Sequence, residues 1–469
     1  MSIPVTYSPM SEALLALYAY TGGDTVHSKD HDWGNGWMKD KLGFEWDNRR
    51  RSRNDILLDA MVTIISLRSG RQPVALIREP ESTQLELVIA SEQPMTRTQR
   101  SDIERYFALL AKLPSTIDTH GEAELLVHAY RMCREEVKGL VKARAEWLDP
   151  APPQISDAIE DLRARANEDD EYGNRRTMRR EIDILTRARS AINSLIAYRD
   201  AADADAEDSL VPRLHHALTG CISFLYVENK RDFRVIDNAI DGGISAFLVE
   251  VSFLSRALDD MIHGARSDKF LRALLTKGVR CDWIHPTPAK AVSIALEGPS
   301  WGGLSALLPA LKDASLDELV ARLEAKLKAE DYFLTNRNIT HQSGNLPAAF
   351  EVQVAAHCEG ALVSYLADRH IESTLYIATA LPVCYTCHLL IDAMKGVQGC
   401  NNFRLGSYNG VIDCGWEFPN VIRQADDVQK TMIQKINDQL KEGIERYHKP
   451  KEPFVEEDWG NMETSWSTV

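Results

Sequence analysis

Two stretches near the end of the chain decide how it is read: "AAHCEGALVSYL" at 355–366 and "LPVCYTCHLL" at 381–390. The first sets His357 and Glu359 one residue apart, and the second sets Cys384 and Cys387 two residues apart. Each lies where a helical pattern opens. Leu362, Tyr365 and Leu366 give an inward face behind His357, and a β-rich run at 374–380 leads into a helix opening at Cys384. Cysteines three apart on a helix project from nearly the same face and can grip one ion. The unpaired N–H groups and positive dipole end of a helix start favour thiolate and developing negative charge.

His357, Cys384 and Cys387 as three ligands would leave the fourth tetrahedral position of Zn2+ for water, the arrangement of a catalytic site. Zinc brings the pKa of water toward neutrality. Glu359, held off the metal, would carry a proton from that water to a leaving amine, first as base and then as acid. Taken singly these fragments are bland: a C-x-x-C also suits a redox pair, and a lone helical histidine is usually a core residue. Together and in this order they are far more specific. The competing chemistry is a structural zinc closed by a fourth protein ligand, for which Cys358, His388, Cys400 and Cys414 are candidates. That version is a non-catalytic helical scaffold acting through partners.

The pairing H-x-E with a later C-x-x-C is the zinc signature of nucleobase deaminases. His357-Cys358-Glu359 and Cys384-Tyr385-Thr386-Cys387 resemble the cytidine deaminase-like superfamily. "CYTCHLLIDAM" with "FRLGSYNGVIDCGWEFP" at 403–419 is similar to the OTT-type deaminases, a group expanded in fungi, whose closing Trp-x-x-Pro is matched by Trp416 and Pro419. The likeness covers 350–422. It departs in one place: the proline usual before the first zinc cysteine stands one residue earlier, as Pro382. The resemblance implies hydrolytic deamination of an amino-bearing nucleobase in a nucleotide, RNA or DNA. It also implies a sugar-contacting asparagine, for which Asn345 is the candidate, with Asn338, Asn401 and Asn402 as competitors. Tyr385, His388, Tyr408 and Trp416 lie near enough in sequence to hold a base, although packing is the plainer role for each.

The resemblance implies an α/β (α+β) deaminase-like three-layer domain with a mixed sheet, built helix–strand–strand before the H-x-E helix. Directly upstream of His357, "DYFLTNRNITHQSGNLPAAF" is too polar and short to supply two strands. The missing pieces occur much earlier. Ile56, Leu57, Ala60, Met61, Ile64 and Ile65 mark a helix over 54–70, and "QPVALIREPESTQLELVIAS" reads as a hairpin with strands at 74–78 and 85–90. The expectation is a split zinc domain, 54–95 with 340–425, interrupted by a large all-α insertion over 97–335; the alternative is that 54–91 belongs to a separate N-terminal module. An N-terminal extension (1–50) and a C-terminal helix and tail (426–469) flank it. Within the insertion, breaks are expected at "LDPAPPQ" (148–154) and "ADADAEDS" (202–209), with helices at 209–226, 244–264, 268–277 and 315–329.

Composition fits this picture. The chain has 469 residues, 44% hydrophobic and 26% charged, with a net charge of −15. That charge argues against a general nucleic-acid coat, which needs clustered Lys and Arg. The basic patches "NRRRSR" (48–53) and "NRRTMRREIDILTRAR" (174–189) read as solvated helix faces. No apolar run approaches the roughly 20 residues that span a bilayer, and the start of the sequence lacks a basic signal segment. Eight scattered cysteines suit a reducing compartment, so an intracellular protein, cytoplasmic or nuclear, is expected without a membrane partner. The helical region offers a surface for homo-oligomer or protein contacts.

Overall fold

The computed structural model describes residues 9–21, 53–69, 74–77, 84–91, 94–114, 118–168, 172–225, 230–240, 244–286, 288, 290–295, 306–313, 318–319, 321–322, 349–369, 376–379, 383–398, 403–405, 411–413, 415–419 and 424–448. Asn338, Asn345, Pro382, Cys400, Asn401, Asn402, Tyr408 and Cys414 lie outside the described residues.

Helix α1 (Pro9–Thr21) buries Met10 and every residue from Ala13 to Tyr20, an unbroken apolar run that leaves no polar face over those turns. Helix α2 (Arg53–Ser69) and the hairpin β1 (Val74–Ile77) and β2 (Leu85–Ala90) follow in the order the sequence predicts. The helical run opens at α3 (Arg97–Lys112) on a capping box. Thr96 Oγ1 accepts from the Gln99 N–H at 3.2 Å, and Gln99 Oε1 accepts from the Thr96 N–H at 2.9 Å. It continues through α4 (Thr119–Met132), α5 (Arg134–Ala143), α6 (Ala145–Leu148), α7 (Ala151–Glu168), α8 (Tyr172–Arg199) and α9 (Ala204–Leu225). Helices α10 (Lys230–Ala239), α11 (Ile244–Val251), α12 (Phe253–Ser267) and α13 (Lys269–Lys277) complete it.

Three local expectations change. Pro152 and Pro153 fall in the first turn of α7, where the missing N–H groups cost nothing, so that break shrinks to Asp149–Pro150. The break expected at 202–209 falls at 200–203, and the rest of the acidic stretch opens α9, with Asp205 and Glu207 in its first turn at the positive dipole end. The helix expected over 244–264 is two helices meeting at Ser252, and of the one expected over 315–329 the described helical residues are 318–319 and 321–322.

The helical run also ends before 335. Gly278, at φ +108°, turns the chain out of α13 into β3 (Val279–Ile284), and β4 (Lys290–Ala295) follows. β5 (Ala349–Val354) leads directly into α14 (Cys358–Asp368), where the sequence suggested only a short lead-in. β6 (Tyr376–Ala378), α15 (Tyr385–Gln398), β7 (Arg404–Leu405) and α16 (Ala425–His448) complete the described elements.

Five strands form one mixed sheet in the order β3-β2-β1-β6-β7. β1 runs antiparallel to both neighbours, with Val74 opposite Ile89 on one side and Ala378 on the other. β2–β3 and β6–β7 are parallel pairs. The sheet therefore joins strands from both ends of the sequence. β4 and β5 make a separate antiparallel pair beside it.

Alternation along the strands sorts the core into two halves. Leu85, Leu87 and Ile89 share a core with α2 and the helical run, whereas Val88, Ala90 and Ile377 share one with α1, α14, α15 and α16. Helices thus cover both faces. Polar ties reinforce α2 on its side: Asp55, buried on α2, accepts from Arg404 of β7 at 2.8 Å, and the Tyr376 hydroxyl donates to Asp59 at 2.7 Å. At Gly264 of α12 a Cβ would stand 2.3 Å from Leu57 Cδ2, so glycine is what lets α12 approach α2 so closely. Among the described residues no helix is long and apolar enough to cross a membrane.

Candidate metal centre

His357 holds the N-cap position of α14, in extended backbone (φ −69°, ψ 153°), and Glu359 sits in that helix's first turn. Cys384 immediately precedes α15, and Cys387 lies in its first turn. The Cys384 sulfur takes the place of the usual N-cap oxygen, accepting from the Cys387 backbone N–H at 3.4 Å. The two helix starts come together, with His357 Nδ1 3.5 Å from Cys384 Sγ.

The ligand atoms of His357, Cys384 and Cys387 all lie within 4.8 Å of one another, a separation one metal ion can bridge. Among the described residues no other side chain joins this set. Glu359 stays outside it, with Oε2 3.9 Å from Cys387 Sγ. Of the alternative fourth ligands, Cys358 is buried in the core and His388 turns to Asp392 at 3.5 Å. Tyr385 and Trp416 are buried packing residues.

The electrostatics treat the two thiols differently. The hydrogen bond from Cys387 holds the Cys384 thiol well below its ordinary range against the opposing effect of burial, and the adjacent His357 adds to this. Burial pushes the Cys387 thiol well up, aided by Cys384 and Glu359 and opposed by the Trp416 indole. For His357, burial works against the charged ring, but the Cys384 sulfur and the Asp413 carboxylate outweigh it and raise its pKa well above the ordinary histidine value.

One short segment, 411–419, clasps both helix starts. Val411 O accepts from the Tyr385 N–H at 2.9 Å, Gly415 O accepts from the Ala355 N–H at 2.8 Å, and Ala355 O accepts from the Glu417 N–H at 3.0 Å. Trp416, fully buried and edge-on to Phe418, donates its indole N–H to Cys387 Sγ at 3.3 Å. Glu417 pairs with Lys290 of β4. Pro419 lies over Gly360, where a Cβ would come within 3.1 Å of the proline ring. Asp413 Oδ2 reaches His357 Nε2 at 3.1 Å.

The structure brings together His357, Cys384, Cys387 and Glu359 as the sequence suggests. Sequence reasoning missed Asp413 and Gly360. An aspartate in an irregular segment carries no periodic signal, and a glycine one residue after Glu359 looks like any helix residue until Pro419 is placed above it. Comparison of this chain with protein-family models, with curated proteins and with solved structures gives no match.

Proposed function

We propose that this chain is a zinc-dependent hydrolytic deaminase acting on an amino-bearing nucleobase, with the cytidine deaminase-like core split by the helical run. One observation carries the reading: a His–Cys–Cys set within 4.8 Å with a carboxylate from the next turn at its side but outside the set. One imidazole and two thiolates are a donor set that suits zinc and leaves a coordination position for solvent. The split is supported by the sheet, in which β1 pairs with both β2 and β6, and by the helices on its two faces.

His357, Cys384 and Cys387 would hold the metal. Zinc bound there supplies Lewis acidity that brings the pKa of water toward neutrality. Glu359, within reach of the same space, takes a proton from water on one carboxylate oxygen and returns it to the departing amine. The base exchanges its amino group for a carbonyl oxygen and ammonia leaves. The half-buried Glu359 carboxylate keeps this role because it is not spent as a ligand.

The test is Glu359→Gln in the full chain, supplied with zinc and assayed for ammonia release from cytosine and adenine nucleosides, nucleotides and single-stranded oligonucleotides. Retained zinc with activity down by about 10²–10⁴-fold is expected for loss of a proton carrier. Equal turnover of every substrate by parent and variant overturns the assignment. A closed structural site is the second reading, favoured by one fact: Cys414 adjoins Asp413, whose carboxylate reaches His357. Loss of zinc in Cys414→Ala would establish that reading, and unchanged zinc content would remove it.

A further inference from the structure

The carboxylate of Asp413 receives two donors at once. Oδ1 accepts from the backbone N–H of Gly415 at 2.8 Å, and Oδ2 stands 3.1 Å from His357 Nε2. The other ring nitrogen, Nδ1, faces Cys384 Sγ at 3.5 Å, toward the other members of the ligand set. A neutral imidazole has one N–H and one lone pair, and the partner of one nitrogen decides which carries which. A carboxylate can only accept, so it keeps the proton on Nε2 and leaves the Nδ1 lone pair for the metal.

We propose that Asp413 is the positioning residue of this centre: it selects the Nε2–H form of His357 and so makes Nδ1 the ligand atom. The inference rests on the reading of His357, Cys384 and Cys387 as ligands and adds the residue that sets one of them. Both oxygens are needed. Asparagine is the same size but offers one acceptor oxygen and one NH2 group. With its oxygen on the Gly415 N–H, its NH2 faces Nε2, which must then accept, and the ring proton moves to Nδ1 where it blocks the metal. With its oxygen on the ring instead, the NH2 faces the Gly415 N–H, donor against donor. Neither orientation keeps the clasp and the ring together.

Two measurements on the full chain test this. Zinc affinity is read by competition with a chromogenic chelator in the parent and in Asp413→Asn, and a fall of about 10–100-fold is expected for loss of a partner behind a metal ligand. Ring-nitrogen NMR of the zinc-loaded parent, labelled at histidine and assigned with a His357→Gln control, reports the second quantity without relying on the variant's folding. The expected result is a proton on Nε2 and metal on Nδ1. Metal on Nε2, or an asparagine variant that binds zinc as tightly as the parent, overturns the proposal alone. A parent chain that takes up no zinc overturns the metal-centre reading and this inference with it.

Discussion

The indole nitrogen of Trp416 lies 3.3 Å from the sulfur of Cys387, donating from an irregular segment to a buried thiol in the first turn of α15. Hydrogen bonds to a sulfur ligand tune its basicity and fix its direction. Trp416→Phe removes the donor and some of the bulk behind it. Denaturant unfolding is expected to show a loss of about 1–3 kcal/mol, from the void and the missing hydrogen bond. Chelator competition is expected to show zinc held about tenfold more weakly. An unchanged zinc affinity alongside the stability loss would make the indole a packing residue only.

Metal uptake should release protons. The shifts described above loosen the proton on Cys384 and tighten those on Cys387 and His357. Zinc binds thiolate and the unprotonated ring nitrogen, so binding displaces the tightly held protons of Cys387 and His357 and affinity rises with pH. At lower pH, where Cys384 is protonated as well, a further proton is displaced and the dependence steepens. Titration calorimetry in buffers of different ionisation enthalpy measures the count directly.

Gly360 has little room for change. A Cβ there would stand 3.1 Å from the Pro419 ring and 3.5 Å from Leu390 Cδ2, and a proline ring cannot fold away. Gly360→Val is expected to cost about 1–3 kcal/mol by overpacking. Because Pro419 ends the clasp, the variant should also lose zinc more readily than a core variant of equal stability loss, such as one at Leu195 in α8. Equal zinc retention in the two would separate Gly360 from the centre.

The pairing of β6 with β1 makes a stronger demand on the whole fold. A fragment of residues 340–425 keeps all three proposed ligands but loses β1, β2, α2 and the buried Asp55 that Arg404 meets. It should neither fold nor retain zinc, as judged by circular dichroism and metal analysis after gel filtration. A folded, zinc-bearing fragment would show that the two parts of the sheet are separable. In the intact chain, Arg404→Ala leaves the Asp55 carboxylate buried without that cation and is expected to cost about 2 kcal/mol.

The parts legible in the sequence were those with local signatures. The α2 stripe, the β1–β2 hairpin and the two helix starts that carry the His and Cys residues announce themselves through spacing, and all four occur within a residue or two of the expected limits. β3 was hidden because "VRCDWI" mixes charged and apolar residues, and its place in the sheet comes from parallel pairing with β2 nearly 200 positions earlier. β4 and β5 support each other across a long interval that no periodicity connects. At the site, the candidate ligands were legible because zinc chemistry restricts residue type. Asp413 was not, because its role depends on the distance between its carboxylate and one imidazole nitrogen. The breaks marked by proline and acid at 148–154 and 202–209 occur but are shorter, at 149–150 and 200–203, because the residues that mark them also suit a helix's first turn.

The order of strands in the sheet has a consequence for the protein during its synthesis. β1 and β2 leave the ribosome early, yet the partner that covers the free edge of β1 ends at Ala378, which is 288 residues after Ala90 (378 − 90). At about 5–20 residues per second, that edge waits roughly 15–60 s for its neighbour. Unpaired strand edges recruit other chains, so the nascent protein passes through an interval of vulnerability to aggregation. The intervening helices, rich in short-range contacts, can fold within that interval. They would shield one side of the hairpin while its open edge awaits the end of translation.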